Sequence, residues 1–156
     1  MTLKKEKRDF LLGAGTILVA LLLLAAYLFF MPITPPSLPT TTLVIGDTSI
    51  VAELATTAGE QEQGLSGRMT LPQGRGMFFV FDHPDKWGIW MKDMRFPIDI
   101  LWADENGMVV TIEENVSPST YPNSFYPKVP SSFVLELPAG FAKAHGIATG
   151  QQIVVK

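Results

Sequence analysis

Hydrophobic and polar positions follow three different patterns along the chain, and the first is an uninterrupted apolar run. From Phe10 to Met31, 22 residues follow one another without a charged side chain. At a helical rise of about 1.5 Å per residue, this run reaches roughly 33 Å, enough to cross a hydrocarbon core of about 30 Å. The pattern therefore predicts a transmembrane helix over residues 10–31.

The flanks of this run predict its orientation. A leader over residues 1–9 holds four basic residues against two acidic ones. Because positive flanks stay in the cytoplasm, everything after the run is predicted to lie outside it. The alternative is a cleaved signal peptide, whose apolar region is usually about 7–15 residues and ends in small residues. This run is longer and ends in the bulky segment Tyr27–Met31, which favours an uncleaved anchor.

A proline-rich segment follows the apolar run. Residues 32–42 contain four prolines and end in three threonines, which predicts a semi-rigid extended spacer. The remaining residues, 43–156, are long enough for one extracytoplasmic domain with its own core. They carry 8 basic and 13 acidic residues, a net charge of −5. An acidic domain argues against nucleic-acid binding, which normally uses a basic face.

Within the domain, apolar and polar positions alternate over short segments, as is typical of β-strands. The predicted strands are Ser49–Thr56, Gly76–Phe81, Ile89–Lys92, Ile98–Ala103, Met108–Ile112, Phe133–Leu137 and Ile153–Val155. Asp104–Gly107 predicts the turn of a hairpin, since its Asn-Gly pair tolerates positive φ.

Two short helices interrupt the strands. Thr57 and Glu60 match a capping box, so a helix is predicted to begin there and to end near Gly64. A second helix is predicted from about Ala139 to His145, before a glycine. Many short strands without regular strand–helix alternation predict a mostly β fold: a closed or sandwiched antiparallel β-domain with two short helices.

Several segments between residues 62 and 100 resemble a known family. They are Gly64–Arg68, Gly76–Phe81, Trp90–Met94 and Pro97–Ile100, and the tail Leu135–Gly150 continues the pattern. The chain is similar to the prokaryotic family catalogued as domain of unknown function 192. The resemblance implies a compact, mostly β, jelly-roll-like domain, that is, a β-sandwich or barrel, often exported or tethered. It implies no activity. Two positions differ: the family's Asn-Thr is Asp93-Met94 here, and its closing Gly-Asp is Gly150-Gln151.

Lys92 and Asp99 are the best polar candidates for a site, because each is a charge among apolar neighbours. Such a charge either points outward from a strand or is buried with a partner. The bland interpretation is two outward-facing charges or one structural ion pair. The functional interpretation is one shallow ligand-binding pocket lined by Arg68, Trp90, Lys92 and Asp99, in which Lys92 holds an anionic group.

Metal and cofactor chemistry finds little support in the sequence. With no cysteine, thiolate ligands and cysteine nucleophiles are excluded. Met77, His83, Met91 and Met94 fall in one third of the chain and could bind Cu(I). Their spacing lacks tight repetition, and methionines in strands usually fill the core. We therefore expect no metal and no cofactor.

These patterns favour a binding protein over an enzyme. We expect a single-pass, membrane-tethered, extracytoplasmic β-domain that binds an unidentified ligand or protein partner of the cell envelope. The first alternative is an envelope hydrolase acting on glycan or peptide, with Lys92 and Asp99 as its acid–base pair. The second alternative is a structural subunit of a membrane complex.

Overall fold

A computed structural model describes residues 21–25, 27 and 38–156. The chain divides into two compact units, Met1–Ser37 and Leu38–Lys156. In the first unit the described residues, 21–25 and 27, are helical. The predicted basic leader over 1–9 lies outside the described residues, as do most of the predicted transmembrane helix over 10–31 and most of the predicted spacer. Among the residues that are described, no helix combines the length and the apolar character needed to cross a membrane.

The second unit is mostly β, as predicted, and contains nine strands and three short helical segments. The strands are β1 (Thr40–Ile45), β2 (Thr48–Ala55), β3 (Arg75–Asp85), β4 (Ile89–Trp90), β5 (Ile98–Ala103), β6 (Val109–Val116), β7 (Ser124–Phe125), β8 (Ser131–Pro138) and β9 (Ile153–Val155). The helical segments are α1 (Ala58–Gln63), a 3-10 helix (Pro118–Thr120) and α2 (Phe141–Ala144).

Seven strands form a single curled sheet in the order β6-β5-β8-β3-β2-β1-β9, and β4 pairs only with β7. The two edges of the large sheet approach each other, because Met108 forms a bridge with Gln152 just before β9. The Val109 N–H also donates to the Gln151 carbonyl at 2.9 Å. The large sheet thus forms a half-barrel. The sequence by itself does not decide between a sandwich and a barrel.

The expectation of an all-antiparallel sheet is wrong at one place. β2 and β3 pair in parallel, with Val51 opposite Arg75 and Ala55 opposite Phe79. Antiparallel neighbours can be joined by a tight turn, whereas parallel neighbours need a long crossover connection. Residues 56–74, which contain α1, are this crossover, so the helix predicted from the capping box lies in a β-α-β unit.

Local signals predicted the turns and helix ends well. The capping box is confirmed: the Glu60 N–H donates to the Thr57 hydroxyl at 3.3 Å, and the Thr57 N–H donates to the Glu60 carboxylate at 2.9 Å. α1 ends at Gly64, which has a positive φ of 48°. The predicted hairpin turn Asp104–Gly107 joins β5 to β6. Two strands, β1 and β7, were not predicted, and β1 begins at Thr40, inside the range expected for the spacer.

The two faces of the half-barrel carry separate hydrophobic clusters, because side chains alternate along each strand. The inner face holds a cluster to which all seven strands and α2 contribute, including Leu43, Leu101, Leu135 and Phe141. The outer face holds a second cluster centred on Met77, Phe79, Ile100 and Trp102. Residues from outside the sheet, including Leu65, Ile89 and Met91, cover this outer cluster.

Candidate functional site

The outer face of the sheet is covered by two segments, 56–74 and 86–97, called here the first and second capping segments. Gln61 attaches the first segment to the sheet, since its side-chain amide donates to the Val80 carbonyl at 2.9 Å. Ser66 joins the two segments by donating from its hydroxyl to the Lys92 carbonyl at 2.7 Å. The Gly67 N–H donates to the Asp93 carbonyl at 2.9 Å. These bonds fix the relative position of the segments.

An open cleft of about 660 Å³ lies between the two capping segments. Its wall in the first segment comes from α1 and the turn after it, and its wall in the second comes from residues 92–95. Four charged residues line it: Glu62, Lys92, Asp93 and Arg95. Because the two bases and two acids balance, this outer cleft suits a polar ligand that carries more than one kind of group.

Asp93 shapes the wall of the outer cleft through its backbone. Its φ is +55°, in the left-handed region that most side chains avoid and that Asn and Asp adopt most readily. The family pattern has Asn at this position, and Asp preserves the same backbone conformation. The substitution adds a negative charge to the cleft without a change of fold.

The structure brings Lys92 and Trp90 close together. The Lys92 Nζ lies 5.3 Å from the centroid of the Trp90 ring, within the range of a cation–π interaction. Trp90 is 40% exposed, and its ring meets that of Tyr121 edge-to-face at 6.1 Å. Trp90 is held on β4 opposite Ser124 of β7. An exposed aromatic platform therefore adjoins the Lys92 ammonium.

Arg68 is engaged elsewhere. Its guanidinium forms a two-pronged ion pair with Glu53 of β2, with N–O distances of 2.5 and 2.8 Å. The hydrogen bond from Arg68 lowers the pKa of the Glu53 carboxyl below its ordinary value. Arg68 is not among the residues that line the outer cleft. It holds the first capping segment to the edge of the outer face.

Asp99 does not join the predicted pocket either. It is fully buried on β5, opposite Leu137, which belongs to the inner cluster. Its carboxylate accepts three backbone N–H groups, from Asn115 at 2.8 Å, Gly140 at 3.0 Å and Ala142 at 2.9 Å. Since Asp99 is enclosed on the inner face and Lys92 lines a cleft on the outer side, the two cannot form the acid–base pair considered for a hydrolase.

The residues considered for Cu(I) have other surroundings. Met77 and Met91 are buried in the outer cluster, and Met94 packs against it. His83 is exposed, with its Nδ1 2.6 Å from an Asp82 carboxylate oxygen. In the parts of the chain that are described, no group of three His, Cys, Asp or Glu residues is placed to hold a metal ion. The core role that strand methionines usually have accounts for Met77 and Met91.

A second, smaller cavity of about 40 Å³ adjoins the outer cleft and is called here the inner cavity. The two share four lining residues: Glu62, Gln63, Ser66 and Met94. Apolar side chains, including Phe79 and Trp90, share its wall with polar ones such as Gln61 and Gln63, and Glu136 of β8 lies at its base. The outer cleft and the inner cavity are adjoining parts of one candidate site.

Glu136 is the most unusual charged residue of this site. It is 5% exposed, and its Oε2 has no hydrogen-bond partner within the described residues. Burial raises the pKa of the Glu136 carboxyl to about 8, and the positive charge of Arg68 opposes this only in part. Glu136 was not predicted as a site residue. The available signal was the one used for Asp99, a lone acid among apolar strand residues.

These features define a class of protein: a small half-barrel β-domain with a capped outer face and two adjoining cavities. The DUF192 family, described as Uncharacterized ACR, matches residues 41–155. The chain belongs to this family, which confirms the resemblance seen in the sequence.

Two solved structures resemble the chain. One is a candidate transcription regulator from Sinorhizobium meliloti 1021, with 28% identity and a TM-score of 0.74 over 78% of this chain and 98% of that one. The other is a protein of unknown function from Novosphingobium aromaticivorans DSM 12444, with 28% identity and a TM-score of 0.71 over 79% of this chain and 89% of that one. Comparison with curated proteins gives no significant match.

Proposed function

We propose that the protein is a membrane-tethered, extracytoplasmic module that binds a small ligand of the cell envelope. The observation that carries this proposal is the outer cleft of about 660 Å³ between the capping segments, with charged walls and the Trp90 platform beside it. Ligand sites are typically concave and combine apolar surface with a few polar groups. The tether is supported by the uncharged run of residues 10–31 and by its basic leader.

The charges of the outer cleft suggest the kind of ligand. Lys92 and Arg95 offer cationic donors to an anionic group, and Glu62 and Asp93 accept hydrogen bonds from hydroxyl or amine groups. The exposed face of Trp90 suits a ring that stacks on it. An anionic saccharide or a similarly polar, ring-bearing envelope molecule combines these features.

Titration of the full-length protein in mild detergent with neutral and anionic saccharides, followed by calorimetry, tests the binding site. We expect Lys92→Ala to weaken binding at least about tenfold, since a lost charged hydrogen bond costs about 1.5–3 kcal/mol. Trp90→Ala is expected to weaken binding several-fold, since the stacking surface is lost. Lys128→Ala is the matched control, because Lys128 is an exposed lysine that does not line the cleft. Unchanged affinity in both site variants would exclude this cleft.

The topology is tested separately. Protease added to intact cells is expected to digest residues 43–156 while leaving cytoplasmic proteins whole. Protection of the domain in intact cells, with digestion after lysis, would place it in the cytoplasm and remove the envelope proposal. The ligand titration would remain interpretable in that case, because it depends only on the cleft.

A hydrolase is the second candidate, and Glu136 is the observation in its favour. Its raised pKa keeps the carboxyl protonated near neutral pH, the form that a general acid requires. Glu53 lies on the same face of the sheet, with Met77 between them in register, and its lowered pKa keeps it ionised. An assay for the release of reducing ends from envelope glycans tests this candidate. Activity in the wild type that is lost in Glu136→Gln would favour it.

A further inference from the structure

The buried Glu136 carboxyl has an oxygen atom without a hydrogen-bond partner among the described residues. A carboxyl buried at the base of the inner cavity needs either a proton or a cation, because an isolated buried charge is costly. Within the described residues its Oε2 accepts no hydrogen bond, although Glu136 lines the inner cavity, which shares four lining residues with the outer cleft. An unpartnered, almost fully buried acid at the end of a cavity is an arrangement that an external group can complete.

The charged neighbours of Glu136 favour a cation as that group. Along one row of the outer face, Glu53 lies two strands away on one side and Glu113 two strands away on the other. Glu62 of α1 lines the rim of the inner cavity. The basic neighbour is Arg68, and its guanidinium is already paired with Glu53. Because Arg68 and Glu53 neutralise each other, the acids that remain in the lining are Glu62 and Glu136, which would repel an anion and attract a cation.

The walls and size of the inner cavity narrow the choice of cation. Phe79 and Trp90 line it, and aromatic rings attract organic ammonium groups as well as apolar groups. Mg²⁺ and Ca²⁺ need several oxygen ligands, and in the described part of the chain no group of three His, Cys, Asp or Glu side chains is placed to hold a metal ion. A volume of about 40 Å³ exceeds the roughly 10–15 Å³ needed for one water molecule and admits a head group of a few heavy atoms.

We propose that the inner cavity binds a primary ammonium group, with the Glu136 carboxylate as its counter-ion. This inference rests on the proposed function, because the remainder of the ligand occupies the outer cleft, where Lys92 and Arg95 hold its anionic group. The ligand class is thus a zwitterion, such as an acidic amino sugar. The Glu136 carboxyl of the inner cavity would meet the ammonium end of such a ligand, and Lys92 and Arg95 of the outer cleft would meet its anionic end.

In this arrangement, binding of the ammonium group is coupled to the loss of a proton from the Glu136 carboxyl. The ammonium binds the ionised form of Glu136, so binding at neutral pH displaces the proton that the free protein holds there. The affinity is therefore expected to rise about tenfold per pH unit as the pH approaches about 8 and then to level off. A hydroxyl ligand would behave oppositely, since it gains most from the protonated carboxyl as a donor.

Methylammonium chloride is a probe small enough for the inner cavity alone. Its pKa, like that of a lysine amine near about 10.4, keeps it charged through the titration. The side-chain carboxyl resonance of Glu136 in the full-length protein, labelled with carbon-13 and assigned by its loss in Glu136→Gln, reports the protonation state. Methylammonium at ten times its dissociation constant is expected to lower the titration midpoint by about one pH unit.

Sodium chloride at equal ionic strength and methanol are the matched controls for charge screening and for shape. A midpoint that methylammonium moves no further than sodium chloride does, or that methanol lowers equally, would overturn the proposal. The shift is expected to persist in Lys92→Ala, because Lys92 lines the outer cleft and not the inner cavity. Failure of saccharide binding in that variant tests the proposed function, whereas the methylammonium shift tests the inner cavity by itself.

Discussion

Replacing Glu136 with glutamine is expected to change how the stability of the domain depends on pH. Burial raises the pKa of the Glu136 carboxyl from its ordinary value of 4.5 to about 8 in the folded state. Between these two values the folded protein holds a proton that the unfolded chain has released. The free energy of unfolding therefore falls as pH rises through this window, and the loss is complete above about pH 8.

The magnitude follows from the width of the window. One pH unit corresponds to about 1.4 kcal/mol, so the interval of about 3.5 units gives a loss of about 5 kcal/mol from this one group. This is a large fraction of the 5–15 kcal/mol, roughly, that stabilises a typical domain. Glu136→Gln removes the titration, although its unpaired amide adds a cost of about 1–3 kcal/mol that does not vary with pH.

Urea unfolding of the full-length protein in mild detergent, followed by tryptophan fluorescence between pH 5 and pH 9, measures the effect. Trp102 is fully buried and reports the loss of the core. As the pH rises towards 8, the free energy of unfolding of the wild type is expected to fall, relative to that of Glu136→Gln, by up to about 1.4 kcal/mol per pH unit. Glu114→Gln, at an exposed glutamate, is the control for the change of charge alone. Parallel pH profiles for wild type and Glu136→Gln would refute the reasoning.

Three further substitutions test contacts around the site by urea unfolding. Asp99→Ala leaves three backbone N–H groups without their acceptor, of which that of Ala142 is buried, and is expected to cost about 3 kcal/mol; a loss below about 1 kcal/mol would contradict it. Arg68→Ala is expected to cost about 1 kcal/mol at pH 7, and less below pH 4.5 as Glu53 becomes protonated, so a pH-independent loss would count against the ion pair. Gly76→Ala places a Cβ 2.8 Å from a backbone carbonyl oxygen of β8 and is expected to cost about 1–3 kcal/mol. Gly59→Ala, which meets open space in a helix, is its control and is expected to stabilise by up to about 1 kcal/mol.

Sequence reasoning succeeded where the cause of a structure is local. The capping box at Thr57 and Glu60, the helix end at Gly64 and the turn at Asp104–Gly107 each depend on residues within a few positions of one another. The alternation of apolar residues likewise predicted the central strands. β1 was missed because its first residues, Thr40–Thr42, continue a proline-rich segment and show no clear alternation. The parallel pairing of β2 with β3 depends on a crossover whose path is not visible in local pattern.

In the candidate site, too, some features have a local cause in the sequence and others depend on distant parts of the chain. Of the four residues predicted to line one pocket, Trp90 and Lys92 lie close to each other, because they are two positions apart on one capping segment. Asp99 and Glu136 have the same local signature, a lone acid within an apolar strand. One lies on the inner face with three backbone donors, and the other lies on the outer face at the base of a cavity without a partner. Which environment each acid receives depends on strands far away in the chain.

The sequence alone determined that the protein has a mostly β domain, because alternation and turn residues act over short distances. Its motifs also identified the DUF192 family, to which the chain belongs. Tertiary structure alone decided that one sheet curls into a half-barrel and that Arg68 pairs with Glu53. It also placed Glu136 in the inner cavity, beside the outer cleft that Lys92 lines. The physical reason is that burial, and with it the pKa and the choice of partner for a charged side chain, is set by whatever packs over it. That covering comes from the two capping segments, which the chain brings to the outer face only when the sheet has formed.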